Sequence, residues 1–166
     1  MKVNLGCSDR LRAGYVNVDL HFPKAPTTGY QFVSGDDGRM CLKWDLTLRP
    51  WPFKDGEVEE IIADDIIEHL PDKIQTMNEI WRVLQPGGIV KIFVPTTDGR
   101  GAWQDPTHVS YWNRNSFLYW TKGDPHYTRF KSAYGMQGCF EVVEEETKVW
   151  PVEVVKLKIV LRKVED

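Results

Sequence analysis

Three short apolar runs each end on a residue suited to holding a nucleoside. Val3-Asn4-Leu5 runs into Gly6-Cys7-Ser8, where a glycine lets the backbone turn sharply and come close to a ligand. Tyr15-Val16-Asn17-Val18 ends at Asp19, a carboxylate able to accept hydrogen bonds from both hydroxyls of a ribose. Asp45 follows Lys43-Trp44 and offers an acceptor to an exocyclic adenine amine. A lone glycine turn is a simple loop, but three such endings in chain order describe a site. It is not a nicotinamide site. The GxGxxG fingerprint would need glycines where Ser8 and Leu11 stand, and an acid about 20 residues on, whereas Asp19 follows Gly6 by 13. The gap is also too short for a helix whose positive end could face a pyrophosphate. A nucleoside cofactor without phosphates suits the spacing better.

A fourth apolar run, Ile61-Ile62-Ala63, ends on the pair Asp64-Asp65. Carboxylates there favour an ammonium or sulfonium group. Glu68 and His69 follow, and they read first as the ordinary charged start of a helix. Downstream, Asp105 and His108 stand three apart, a spacing that lets a carboxylate orient an imidazole. Asp105, His108 and His126 lack compact ligand spacing, so no metal is expected.

These endings require a sheet to carry them. Residues 2–5, 15–19 and 42–45 are strand candidates, with a loop over 21–39 that holds three glycines and two prolines. Glu59 to Asp65 reads as a buried parallel strand. Ile74, Met77, Ile80, Trp81 and Leu84 form one helical stripe, which Pro86-Gly87-Gly88 stops. Ile89 to Val94 is the next strand, so strand, helix and strand make a right-handed crossover. Phe140–Val149 and Val152–Val164 predict an antiparallel hairpin around Trp150-Pro151, its second arm alternating Val155, Leu157, Ile159 and Leu161 with more polar neighbours. The fold class is α/β: a Rossmann-like, doubly wound sheet, mostly parallel with a C-terminal antiparallel hairpin. Ligands in such sheets bind at the carboxyl ends of the strands.

Between the last parallel strand and the hairpin, residues 96–138 hold nine of the twenty aromatic residues, with His108 and His126. Most of these rings are expected to pack on the sheet as a helical cap. The remainder would wall an acceptor pocket and suit a sugar or planar ring.

Composition narrows the function. The chain has 166 residues, 42% of them hydrophobic and 27% charged, which fits one globular domain (residues 1–166) and excludes a disordered chain. No apolar run approaches the ~18 residues of a membrane span. A net charge of −3, from 21 basic and 24 acidic residues, gives no field for a nucleic acid partner. The start has no secretory pattern, and Cys7, Cys41 and Cys139 form neither a disulfide framework nor a metal pattern, so the cytoplasm is the expected setting.

Over most of residues 2–95 the chain resembles the class I S-adenosylmethionine-dependent methyltransferases, as a small member of the methyltransferase-11 type. Asn4-Leu5-Gly6-Cys7-Ser8-Asp9 is similar to the family's glycine-rich first motif, and Val16-Asn17-Val18-Asp19 to its ribose-binding acid. Asp45-Leu46 with Trp51-Pro52-Phe53 resembles the adenine segment, and Asp64-Asp65-Ile66-Ile67-Glu68-His69-Leu70-Pro71-Asp72 the fourth motif. Trp81 to Gly88 matches the approach to the fifth strand. Asp105-Pro106-Thr107-His108-Val109 with Trp112 resembles, more loosely, an element of small members encoded with sugar-polymer genes.

The resemblance implies S-adenosylmethionine as cofactor, held by Gly6, Cys7, Ser8, Asp19, Leu20, Asp45, Leu46, Asp64 and Asp65. It implies methyl transfer to a small-molecule or saccharide acceptor, at oxygen, with His108 as first candidate for the base and His69 as second. The chain departs from the family at Ser8, where a second glycine is usual, at Asn4, where an acid is common, and in its shortened first helix. Those departures favour the other reading, a cofactor-binding or interaction module of this fold without catalysis.

Overall fold

The computed structural model describes residues 1–22, the backbone of Val33–Ser34, and residues 39–166. Most of the loop expected over 21–39 lies outside the described residues. Eight strands form one sheet: β1 (Lys2–Leu5), β2 (Val16–Asp19), β3 (Val33–Ser34), β4 (Met40–Lys43), β5 (Val58–Asp64), β6 (Leu84–Pro95), β7 (Cys139–Trp150) and β8 (Val154–Val164). Their order is β3-β4-β2-β1-β5-β6-β8-β7. The pairs from β4 through β6 are parallel, while β3, β8 and β7 pair antiparallel. The expected α/β sheet with its terminal hairpin is the observed one. The chain builds outward from β1 to β4, then returns to the other side of β1 with β5. The sheet's order therefore reverses at β1 and β5, where open α/β sheets leave a crevice.

Helix α1 (Lys73–Val83) makes the crossover between β5 and β6. Asp72 caps it, accepting from Gln75 N at 2.9 Å. Met77 and Ile80 are fully buried under the sheet, each stabilising by roughly 1.5–3 kcal/mol. The helix stops one residue earlier than its apolar stripe suggests. Leu84 is already in β6 opposite Val58, and a register shift follows before Glu60 pairs with Ile89. Gly88 is needed there, because a Cβ would lie 2.9 Å from the Gln85 carbonyl oxygen and 3.1 Å from those of Val58 and Glu59.

The β1–β2 connection contains no helix, and two buried asparagines replace one. Asn4 Nδ2 donates to Arg10 O and to Asn17 Oδ1, both at 3.0 Å. Asn17 Oδ1 also accepts from Arg12 N at 2.8 Å, and its Nδ2 donates to Met40 O at 3.1 Å. Asn4 and Asn17 thus satisfy backbone groups that a helix would have paired internally.

Residues 96–138 carry α2 (Gly101–Gln104), a 3-10 segment (Arg114–Trp120) and α3 (Pro125–Tyr134). Trp112, Phe117, Trp120 and Tyr127 are buried, so these rings are core, as expected for a cap. Trp103 and Tyr111 are exposed and stack on each other at 4.5 Å. Among the described residues no helix is long and apolar enough to cross a membrane.

Candidate functional site

At the carboxyl ends of β1, β2, β4 and β5 lies a cavity of about 420 Å³. Of the residues expected to hold a cofactor, Gly6, Asp19, Leu20, Asp45, Leu46 and Asp65 line it. His21, Trp44, Thr47, Ile66, Leu70 and Thr107 also line it and escaped the sequence reading. Trp44 directly precedes Asp45 and was the one with a legible signal, a large ring at a strand end.

Gly6 has φ +58°, and a Cβ there would fall 2.4–2.7 Å from the Ile66 side chain. The glycine is therefore demanded by Ile66 after β5 as well as by the turn. Asp19 is 7% exposed and braces the loop around the cavity. One carboxylate oxygen accepts from Ser8 N and the other from His21 N, each at 2.8 Å. Each oxygen keeps a further lone pair for a hydroxyl. Asp45 lies just past β4, whose strand is Met40–Lys43 rather than 42–45. Its Oδ1 accepts from Thr47 N at 2.9 Å and from the Thr47 hydroxyl at 2.7 Å. Its second oxygen has no such bond.

Three of the expected contacts do not line this cavity. Cys7 is buried beneath the loop rather than on the wall, and burial pushes its thiol up to about 12. Ser8 is exposed with φ +46°, and its amide, not its side chain, matters, because that amide donates to Asp19. Asp64 faces Arg10 at 3.0 Å and does not line the cavity. Trp51 and Phe53 also leave the adenine side for the core, with Trp51 N donating to the buried Glu79 carboxylate at 2.6 Å. Arg82 in turn clamps Glu79 at 2.7 Å.

A second cavity, about 200 Å³, adjoins the first and shares Asp65 and His69 with it. Asp65 sits in the left-handed region, φ +54°, with both oxygens on Lys156 Nζ at 2.8 and 2.6 Å. The smaller cavity also has Glu68, Asp105 and His108 on its wall. These residues come from two segments that the fold hydrogen-bonds together. Val109 N and Ser110 N both donate to Glu68 O at 2.9 Å, and the Ser110 hydroxyl donates to Ile67 O at 2.9 Å. Trp112 Nε1 donates to that hydroxyl at 2.9 Å.

His108 is not oriented by Asp105. Its Nδ1 lies 3.0 Å from the Ala102 carbonyl oxygen, while Asp105 stands 3.9 Å from Nε2 and spends Oδ1 on Thr107. His69 Nδ1 lies 3.2 Å from Thr107 O. A carbonyl oxygen only accepts, so both rings carry their proton on Nδ1 and keep Nε2 free. Glu68 is 2% exposed, and neither carboxyl oxygen has a hydrogen-bond partner among the described residues. Burial pushes this carboxyl up to about 8, against the weaker pull of Lys156. The helix-start reading of Glu68 fails: it belongs to a 3-10 turn (Ile67–His69) and points into the protein.

The fold is Rossmann-like, with the larger cavity at the point where the strand order reverses. A family model described as a methyltransferase domain matches residues 33–92. A probable S-adenosylmethionine-dependent methyltransferase of Mycolicibacterium smegmatis is 33% identical over 66 residues, covering 37% of this chain and 26% of the relative. The match thus spans about a quarter of that protein's length. The 1,6-didemethyltoxoflavin-N1-methyltransferase of Burkholderia thailandensis superposes with TM-score 0.64 at 16% identity, over 99% of this chain and 71% of that one. A SAM-dependent methyltransferase from Archaeoglobus fulgidus gives 0.59 at 10% identity, over 98% and 85%. Over about a third of its length the chain is thus similar to S-adenosylmethionine-dependent methyltransferases, and its fold is the one those solved structures share.

The larger cavity fits that family's cofactor. Its volume is in the range of small-ligand pockets, and its lining pairs three carboxylates with apolar walls from Leu20, Trp44 and Leu46. The Trp44 indole N–H is buried without a hydrogen-bond partner among the described residues. Asp65 on the wall lies 3.8 Å from Arg10 and is paired with Lys156, so both signs of charge stand beside the cavity, which suits a zwitterionic amino-acid end.

Proposed function

We propose that this protein transfers a methyl group from S-adenosylmethionine to a small-molecule or saccharide acceptor, at oxygen, as one methyltransferase unit over residues 1–166. The observation that carries the reading is the pair of adjoining cavities, one nucleoside-sized and one lined by imidazoles, which share Asp65 and His69. Asp19 and Asp45 would bind ribose and adenine in the first. Bound there, S-adenosylmethionine supplies a methyl group already activated on a sulfonium. The chain's own task is then alignment of the acceptor and removal of its proton. Residues 96–138 form the acceptor side, because they supply Asp105 and His108 to the smaller cavity.

A hydroxyl acceptor must lose a proton, and the imidazoles stand where that would happen, each with a free Nε2. His69 borders both cavities, so it stands nearer the join than His108, which borders only the smaller.

Calorimetry with S-adenosylmethionine and with its demethylated product tests the cofactor site directly. Binding of both is expected, and binding of neither would sink the reading. Turnover of labelled cofactor with hydroxyl-bearing acceptors tests the chemistry. His69→Asn and His108→Asn should keep cofactor affinity and lose about 10²–10⁴-fold in turnover, the usual worth of a positioned proton acceptor. Full turnover in both variants would remove the imidazoles from the mechanism.

A further inference from the structure

We propose that Glu68, His69 and His108 form a binding site for one divalent transition-metal cation, held by two imidazole nitrogens and one carboxylate oxygen. One ligand atom from each residue lies within 4.8 Å of the other two. Two histidines and a carboxylate are a recurrent ligand set for Zn²⁺, and with open positions for Fe²⁺ and related ions.

The supporting groups are those a ligating cluster requires. Each histidine rests its Nδ1 on a backbone carbonyl, His108 on Ala102 and His69 on Thr107. Ligating imidazoles are fixed in this way, which settles the tautomer and leaves Nε2 as the donor. Glu68 supplies an independent sign. A buried carboxyl with no hydrogen-bond partner among the described residues is costly, and a cation is the partner that would satisfy it. Its Oε1 stands 3.9 Å from His108 Nε2. The two rings meet edge to face with centroids 4.8 Å apart.

Bonds of about 2.0–2.2 Å set ligand atoms roughly 3–3.5 Å apart, so the side chains would draw in by about an ångström. The backbone beneath need not move, because Glu68 O fastens Val109 and Ser110 to the Glu68 turn. The other charged groups on this cavity are Asp65, Asp105 and Lys156. Lys156 is bound by both oxygens of Asp65, so it does not oppose a second cation as a bare charge would.

Three protein ligands leave positions open toward the smaller cavity. With both Nε2 atoms spent on the cation, a hydroxyl acceptor coordinated there would become more acidic. It would lose its proton to solvent rather than to an imidazole, so the bound cation would replace the imidazole base. That role rests on the methyl-transfer reading, whereas the cation site itself does not.

Chelator-treated protein titrated with CoCl₂, read by visible absorption and calorimetry, tests the site. One Co²⁺ per chain is expected. Glu68→Gln, nearly isosteric and checked by its melting curve, should weaken binding at least about tenfold, as should His108→Ala. His126→Ala, an exposed histidine outside the cluster, should leave it unchanged. No uptake of Co²⁺, or equal uptake in Glu68→Gln and His108→Ala, overturns the proposal. The demethylated cofactor titrated into the same samples separates the two readings. Cofactor binding without Co²⁺ binding removes the metal and keeps the methyltransferase. The reverse result keeps the metal site and removes the methyltransferase reading.

Discussion

The edge at β1 and β2 and the edge at β5 carry acids in similar places but spend them differently. At the first, Asp19 uses both oxygens on backbone amides of the loop it faces. At the second, Glu68 is equally buried and has no hydrogen-bond partner among the described residues. The first edge is a finished cradle whose acid is bonded to the backbone that shapes the larger cavity. The second keeps its polar capacity unspent, which costs stability and leaves affinity for something the chain does not supply. A single α/β scaffold thus holds one site that is built and one that is poised.

Perturbing each edge should therefore have opposite consequences. The largest effect is expected at Gly6→Ala. A left-handed φ costs an alanine roughly 1–2 kcal/mol and the contact with Ile66 roughly 1–3 more, so about 2–5 kcal/mol of stability is lost in denaturant unfolding. Ile66→Ala in the same chain should return part of it, and purely additive losses would show that the two do not meet. Next comes Asp19→Ala, expected to cost about 1.5–3 kcal/mol in unfolding, with cofactor affinity falling too. A loss confined to affinity would mean that the carboxylate does not brace the loop.

Glu68→Leu sharpens the contrast, because it removes both orphaned oxygens and keeps an apolar filling of similar size. Its stability should be unchanged or higher by up to about 1 kcal/mol, while turnover and Co²⁺ binding disappear. A strongly destabilised Glu68→Leu would place the second edge in the same class as the first. The smallest effect is at Cys7. The unfolded thiol titrates near 9.0 and the folded one near 12, so the folded state holds the proton longer. Stability should fall as pH rises between those values, and below them this thiol contributes no slope. At pH 8 iodoacetamide should leave Cys7 unmodified in the folded protein, as peptide mass spectrometry would show; rapid labelling would mean the first edge is open.

Periodicity and turn chemistry are local properties, so they determined much of this protein from the sequence alone. Ile61–Ala63 and Ile89–Val94 were readable as parallel strands, the 74–84 stripe as their crossover, and residues 139–164 as a hairpin. Gly6, Asp19 and Asp45 were readable as one edge of a cavity because each follows its own strand. Boundaries failed where pairing overrode pattern, as when Leu84 left its helix to face Val58. The two asparagines that replace the first helix were visible as residues but not as a brace, since their partners lie on other segments.

The second edge was beyond sequence reasoning for the same reason. Glu68-His69 looks like a charged helix start, and Asp105 looks like the natural partner of His108. Only the tertiary structure seats Val109 and Ser110 on the Glu68 carbonyl, which brings His108 to Glu68 and His69 from some forty residues away. Burial of that carboxyl follows from the same docking, because no local pattern can remove water from a charged side chain. Spacing in the chain shows which groups share a turn, but partnership and desolvation depend on which surfaces pack.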